Sequence, residues 1–103
     1  MKQKEPLQAL LDEFAGERAH ALGRIAARME RALADLRAFD EGPCEDIEVA
    51  AVNRQELVAA AAEWVWYYVV QRDVMGWHRH DEALRFYSVP AEVIVRMGPR
   101  RRG

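Results

Sequence analysis

The residues best suited to binding a metal ion lie together in the segment His78-Arg79-His80-Asp81. Two imidazoles and a carboxylate are ligands that zinc or nickel accepts, and His20 would be a distant fourth ligand. The segment has the composition of a turn, however, in which the two rings need not converge. The one Glu-x-x-His pair on a predicted helix, Glu17 with His20, is distant in the sequence, so no rigid second half of the site is evident. We therefore predict exposed turn histidines, no metal site and no cofactor.

Nucleophilic catalysis would need an activated side chain, and the single cysteine is poorly placed for that role. Cys44 lies among Glu41, Glu45 and Asp46, and neighbouring negative charge raises the pKa of a thiol. Motifs typical of acyl transfer, phosphate binding and dinucleotide binding are missing from the sequence. Glu63 interrupts an apolar run, but helical spacing puts it on a polar stripe at the solvent edge. We predict no catalytic or cofactor-binding residues and no enzyme; a small enzyme with a pocket beside the central helix is an alternative.

Positive charge is concentrated at the end of the chain, in Arg100, Arg101 and Arg102. The formal net charge of the whole chain is −2, so no overall basic field attracts nucleic acid. Residues 99–103 form a basic tail that could contact phosphates. A tail this short predicts weak, salt-sensitive and non-specific binding. A nucleic-acid-binding accessory protein that uses the tail is therefore a second alternative, against which the charge balance argues.

Two further groups have both a functional and a structural interpretation. Gln71-Arg72-Asp73 closes the central helix with a polar cluster, which would suit a recognition patch. The interpretation that we favour is that Arg72 and Asp73 bind to the helices that follow. Trp66 points away from the face that carries Trp64 and Tyr68, so its role as a ligand-stacking residue is left open.

The elements that position these residues are predicted to be helices. Apolar residues recur with helical spacing over residues 7–39, and Pro6 suits a first turn. This pattern predicts one long amphipathic helix. Gly16 and Gly23 interrupt it, and each costs about 1 kcal/mol relative to alanine in a helix, so any kink is expected there.

An acidic loop is predicted over residues 40–52, because Gly42-Pro43 ends the first helix and carboxylates crowd the segment. Asn53 is predicted to cap a second helix over residues 54–75, with Glu56 as its capping-box partner. Only a narrow stripe of this helix is polar, so we expect it to lie in the middle of the core. Its core face is predicted to comprise Leu57, Ala61, Trp64, Tyr68 and Met75.

The remainder of the chain predicts two short helices, over residues 81–87 and 90–97, with prolines and glycines between and after them. Residues 1–103 are thus expected to form a single all-α domain. The longest near-apolar run has fourteen residues and includes a glutamate, whereas a membrane-spanning helix needs roughly 20. We therefore expect no membrane association and a cytoplasmic location.

The sequence resembles a family of short, helical bacterial proteins that is defined as a domain of unknown function. The resemblance spans roughly residues 20–98 and omits the acidic loop. The matching segments are Ala21-Leu22-Gly23-Arg24, Ala32-Leu33 through Ala38-Phe39-Asp40, Trp66, Val69-Val70-Gln71-Arg72-Asp73, Gly76, Tyr87-Ser88-Val89-Pro90-Ala91-Glu92-Val93 and Arg96-Met97-Gly98. This resemblance implies one helical domain and carries over no catalytic residue.

The length of the first helix leads to the main functional hypothesis. A helix of 33 residues is about 50 Å long, whereas a compact chain of this size is roughly 33 Å across. Either the helix breaks at Gly16 or Gly23, or one end of it projects. A projecting end would expose an apolar strip made of Leu7, Leu10, Leu11 and Phe14. We predict a non-enzymatic interaction protein that forms a homodimer through this strip; the biological process and any other protein partner are unknown.

Overall fold

The computed structural model describes residues 5–43 and 46–98, which form four helices in chain order. These helices are α1 (Pro6–Glu41), α2 (Ile47–Val74), α3 (Asp81–Phe86) and α4 (Ala91–Val95). No strand occurs in this described part of the chain. The predicted all-α fold, with a long first helix packed on a second helix and two short helices after them, is confirmed.

Helix α1 is a continuous helix of 36 residues. Pro6 occupies its first turn, where the missing amide hydrogen leaves no hydrogen bond unmade. The helix passes through Gly16 and Gly23 without interruption and ends before Gly42, whose amide donates to the Phe39 carbonyl. Of the two arrangements left open by the sequence, the structure has the unbroken helix.

Helix α2 begins seven residues before the predicted start, at Ile47. Its N-cap is Asp46, whose carboxylate accepts hydrogen bonds from the amides of Glu48 and Val49 at 3.0 and 3.2 Å. The prediction of Asn53 as the cap is wrong, because Asn53 lies inside α2. The predicted acidic loop over residues 40–52 is wrong for the same reason. A carboxylate at the N-cap accepts hydrogen bonds from free amides and interacts favourably with the positive end of the helix dipole, so residues 47–52 belong to α2, while Asp40 and Glu41 belong to α1.

The core lies between α1 and α2, and α4 closes it. Met29, Val58, Val65 and Val93 are its largest fully buried side chains. The core face of α2 is rotated from the predicted one, since Leu57 and Trp64 are only partly buried. Its buried residues are Val58, Ala61, Ala62, Val65 and Tyr68. Helix α2 is the central helix, packed on both α1 and α4, and its outward side is exposed at Tyr67, Val70 and Val74.

The two C-terminal helices are shorter than predicted, by one residue for α3 and by three for α4. Gly76 (φ 83°) takes the left-handed conformation that ends α2, and Ser88 (φ 53°) takes it between α3 and α4. Val93 of α4 is fully buried against the core. No helix among the described residues is long and apolar enough to cross a membrane.

An arginine ties the three helices α1, α2 and α4 together. The Arg54 guanidinium of α2 binds Asp40 of α1 through Nε and Nη2, at 2.8 and 3.2 Å. It also binds Glu92 of α4, with Nη1 3.0 Å from Oε2. Because Arg54 donates to both carboxylates, the pKa of Asp40 and that of Glu92 lie below their ordinary values. Sequence analysis missed this cluster, whose members are distant in the chain.

Candidate self-association surface

The N-terminal part of α1 extends beyond the rest of the molecule. Every side chain from residue 5 to residue 20 is exposed, whereas Met29, Leu33 and Leu36 on the same helix are buried. At 1.5 Å per residue, the 36 residues of α1 span about 54 Å and the 28 residues of α2 span about 42 Å. The molecule measures 66 × 27 × 23 Å, so the excess length of α1 is not folded back.

This projecting segment, residues 5–20, carries the four apolar residues of the predicted strip. The exposed fractions are 65% for Leu7, 47% for Leu10, 51% for Leu11 and 50% for Phe14. At about 100° per residue, their side chains fall within an arc of roughly 100° around the helix. These four residues therefore form one apolar stripe that is exposed to water. It continues the stripe that packs on α2 further along the same helix.

Further along α1, an open groove lies between α1 and α2. Its α1 side is lined by Arg24, Arg28 and Arg31. Its α2 side includes Ala60 and Trp64. Its volume is about 530 Å³. The Arg28 guanidinium lies over the Trp64 ring, 5.3 Å from its centroid. This combination of cations and apolar surface suits a partner that presents both carboxylates and apolar side chains.

Sequence analysis did not identify the groove, although one signal for it is visible. The arginines at positions 24, 28 and 31 have the i, i+4, i+7 spacing that places side chains on one side of a helix. Nothing in the sequence of α1 alone shows that Trp64 of α2 lies against them. One alternative from the sequence is a small enzyme with a pocket beside the central helix, and the groove lies in that position. Its lining residues include no serine, cysteine or histidine.

The predicted turn histidines converge on one carboxylate. His78 Nδ1 and His80 Nε2 lie 3.0 and 2.9 Å from the same atom, Asp73 Oδ1. Arg72 Nε donates to His80 Nδ1 at 3.3 Å, so the neutral ring of His80 carries its proton on Nε2 and donates it to Asp73. The His78 and His80 hydrogen bonds hold the pKa of Asp73 below its ordinary value.

Arg72 completes this connection between the end of α2 and the turn. Its Nη2 donates to the Arg79 carbonyl at 2.7 Å, and its guanidinium lies over the rings of Tyr68 and Trp77 at 5.8 and 5.5 Å. Arg72 and Asp73 therefore bind the segment that leads into α3. The geometry favours the structural interpretation of the polar cluster over a recognition patch.

Three sets of candidate residues remain: the metal ligands, Trp66, and the residues that the structure does not describe. Among the described residues, no cluster of three or more His, Cys, Asp or Glu side chains could hold a metal ion. Trp66 is partly buried and packs against Tyr67, with ring centroids 5.3 Å apart. Cys44 and the proposed polyanion contacts Arg100, Arg101 and Arg102 lie outside the described residues.

Neither the curated proteins nor the solved structures include a significant match to this sequence. A family model matches residues 5–103, which cover all four helices, and its description is a family of unknown function. The chain therefore belongs to the family of unknown function DUF6665.

Proposed function

We propose that this protein is a non-enzymatic helical interaction protein that forms a homodimer through the projecting segment of α1. One observation carries the proposal: residues 5–20 form a helix whose apolar stripe has no covering element within the described chain. Water penalises exposed apolar surface at roughly 25 cal/mol per Å². A second copy of the same stripe would remove that penalty for both chains at once.

Helix stability supports the same proposal. Isolated helices shorter than about 12–15 residues are marginal in water, since most helical stability in proteins comes from packing of an apolar face. The projecting segment receives no such packing from α2, and Gly16 lowers its helix propensity further. A partner that packs on Leu10 and Phe14 would stabilise the segment as a helix.

The two alternative functions receive no comparable support. Nucleic-acid binding by the arginine tail depends on residues outside the described chain. An enzyme would need a nucleophile or an acid–base pair in the groove beside α2, and Asp35 is the only acidic residue among the groove's lining residues. The groove combines arginines with apolar side chains, which is more typical of a protein interface.

Light scattering at micromolar concentration tests the proposal directly. We expect a mass of about twice the chain mass of 11.8 kDa. Leu10→Lys places a positive charge on the stripe and should return the protein to the monomer mass. Ala19→Lys adds the same charge on the opposite side of α1, nine residues or about two and a half turns away, and should remain dimeric. A wild-type protein that scatters as a monomer would refute self-association.

A further inference from the structure

We propose that the second copy binds antiparallel, with its projecting segment lying in the groove between α1 and α2. In this arrangement, Glu13 and Glu17 of each chain face Arg28 and Arg24 of the other. The inference rests on the proposed self-association and specifies its geometry, so that the groove and the projecting segment become the two halves of one interface.

The charges on one side of α1 are segregated along its length. Glu13 and Glu17 are four residues apart, Arg24 follows seven residues later, and Arg28 lies four residues beyond that. At about 100° per residue, all four side chains fall within an arc of roughly 60°, and all four are exposed. Like charges at i and i+4 destabilise a helix. An acidic pair followed by a basic pair is therefore unfavourable within one chain and complementary to a reversed copy.

A single twofold axis satisfies both pairs of charges. When the axis passes between His20 and Ala21, Glu13 lies opposite Arg28 and Glu17 lies opposite Arg24 in the same operation. Four ion pairs thus form in each dimer, since a twofold interface repeats every contact. A parallel twofold dimer would instead place Glu13 beside its own copy and Arg28 beside its own copy. Electrostatics therefore select the antiparallel arrangement.

The apolar residues fit the same alignment. The axis between residues 20 and 21 places Phe14 at the level of Ala27, and Leu10 at the level of Arg31. Both Ala27 and Arg31 line the groove, together with Leu57, Ala60 and Trp64 of α2. Leu10 lies at the edge of the arc of charges and Phe14 about 40° beyond it, towards the core side of α1, so both would enter the groove beside Trp64. The exposed stripe of one chain would then cover the exposed edge of the other's core.

The lengths of the two halves also agree. In this alignment residue 6 lies opposite residue 35, so about 30 residues of α1, or roughly 45 Å, pair along their whole length. Asp35, at the far end of the groove, would meet the N-terminus of the partner's α1, where the helix dipole favours negative charge. Each projecting segment is therefore covered by the packed part of the other chain.

Charge reversal with rescue tests this geometry. The first variant carries Glu13→Arg and Glu17→Arg, and the second carries Arg24→Glu and Arg28→Glu. Each variant alone would bring like charges together at four places, so we expect its dimer dissociation constant to rise on the order of tenfold or more. An equimolar mixture of the two restores opposite charges at all four places and should form a heterodimer with about the wild-type affinity. Analytical ultracentrifugation over a concentration series measures all three.

A single chain with all four substitutions provides a second measurement that does not depend on either double variant folding alone. Its homodimer should also regain about the wild-type affinity. If both double variants dimerise as tightly as a dimeric wild type, this geometry is refuted and self-association stands. If the mixture and the fourfold variant show no rescue, the proposed pairs are wrong. A monomeric wild type would overturn both the geometry and the proposed function.

Discussion

Helix α1 has two halves with similar amphipathic patterns and opposite environments. In the half that packs on α2, Met29 is fully buried and Leu36 is 2% exposed. In the projecting half, Leu11 and Phe14 occupy equivalent stripe positions and are half exposed. The sequence pattern therefore specifies which side of the helix is apolar, while the length of α2 decides where that side is covered within one chain.

The largest difference between the halves should appear on truncation of an apolar side chain. Met29→Ala should lower the free energy of unfolding by about 2–5 kcal/mol, because it leaves a cavity among fully packed neighbours. Leu11→Ala should change it by less than about 0.5 kcal/mol in dilute, monomeric protein, since Leu11 has no packing to lose. Urea unfolding monitored by circular dichroism measures both. Equal losses for the two variants would mean that the projecting half is packed on the core.

Trp64 provides an intermediate case at the edge of the groove. Full burial, as the sequence predicts, would make Trp64→Ala cost about 3–5 kcal/mol. The ring is only partly buried, and one side of it contacts the Arg28 guanidinium. We therefore expect a loss of about 1–2 kcal/mol, clearly below that of Met29→Ala. A loss as large as that of Met29→Ala in the same urea titration would contradict the observed core face.

The core face of α2 shows why sequence predicts the fold better than the packing. Residues 57–70 are apolar on nearly all sides, so the pattern contains no strong preference between the Trp64 face and the neighbouring Val58–Val65 face. The contact with α1 selects the Val58–Val65 face, so that small and β-branched residues of α2 lie against α1. A prediction from sequence favours the face with the largest apolar residues as the core face. Helices, however, approach each other most closely where side chains are small.

The start of α2 was mispredicted because two capping signals compete. Asn53 with Glu56 matches a capping box, and the alternating residues 47–49 suggest an extended segment. Asp46 offers an equally good cap seven residues earlier, and the helix that it starts places Arg54 between Asp40 and Glu92. The ion pairs of this cluster join three helices and stabilise the longer α2. No local sequence pattern reveals these contacts.

The candidate surface was predictable to the same limited degree. The apolar strip follows from the helical period together with the length of α1, both of which the sequence contains. The groove requires residues from two helices whose rotation about their axes the sequence does not specify. The convergence of His78 and His80 on Asp73 was also missed, because it depends on the turn at Gly76, whose backbone lies in the left-handed region.

Loss of the Arg54 cluster should affect only the packed half and should depend on pH. Arg54→Met keeps the apolar stem and removes the bonds to Asp40 and Glu92, so it should lower the urea midpoint at about pH 7 by less than Trp64→Ala does. The pKa values of both carboxyls lie below their ordinary values of 3.8 and 4.5. Their contribution is therefore complete above those values and is lost as the pH falls through the lower folded-state values.

The urea midpoints of wild type and Arg54→Met should consequently converge as the pH falls below the ordinary pKa values of the two carboxyls and both take up protons. The dimer mass of Arg54→Met should equal that of the wild type, because Arg54 binds Asp40 and Glu92 and is not among the residues that line the groove. A difference in midpoint that persists unchanged into acid would show that the two carboxylates do not carry the effect.

The smallest effects should come from the two glycines of α1, one in each half. An added Cβ meets no atom within 4 Å at Gly16 or at Gly23, so alanine fits at both positions. Gly23→Ala should raise the free energy of unfolding by roughly 0.5–1 kcal/mol, because residue 23 belongs to the part of the helix that unfolds with the core.

Gly16 lies where the helix can open without disturbing the core, and local opening of this kind contributes little to global unfolding. Gly16→Ala should therefore leave the urea midpoint of dilute protein nearly unchanged while increasing its helical circular dichroism, and it should tighten the dimer by reducing the cost of ordering the segment. Equal shifts of the urea midpoint for the two variants would show that α1 unfolds as one unit, and the distinction between its halves would then hold for packing alone.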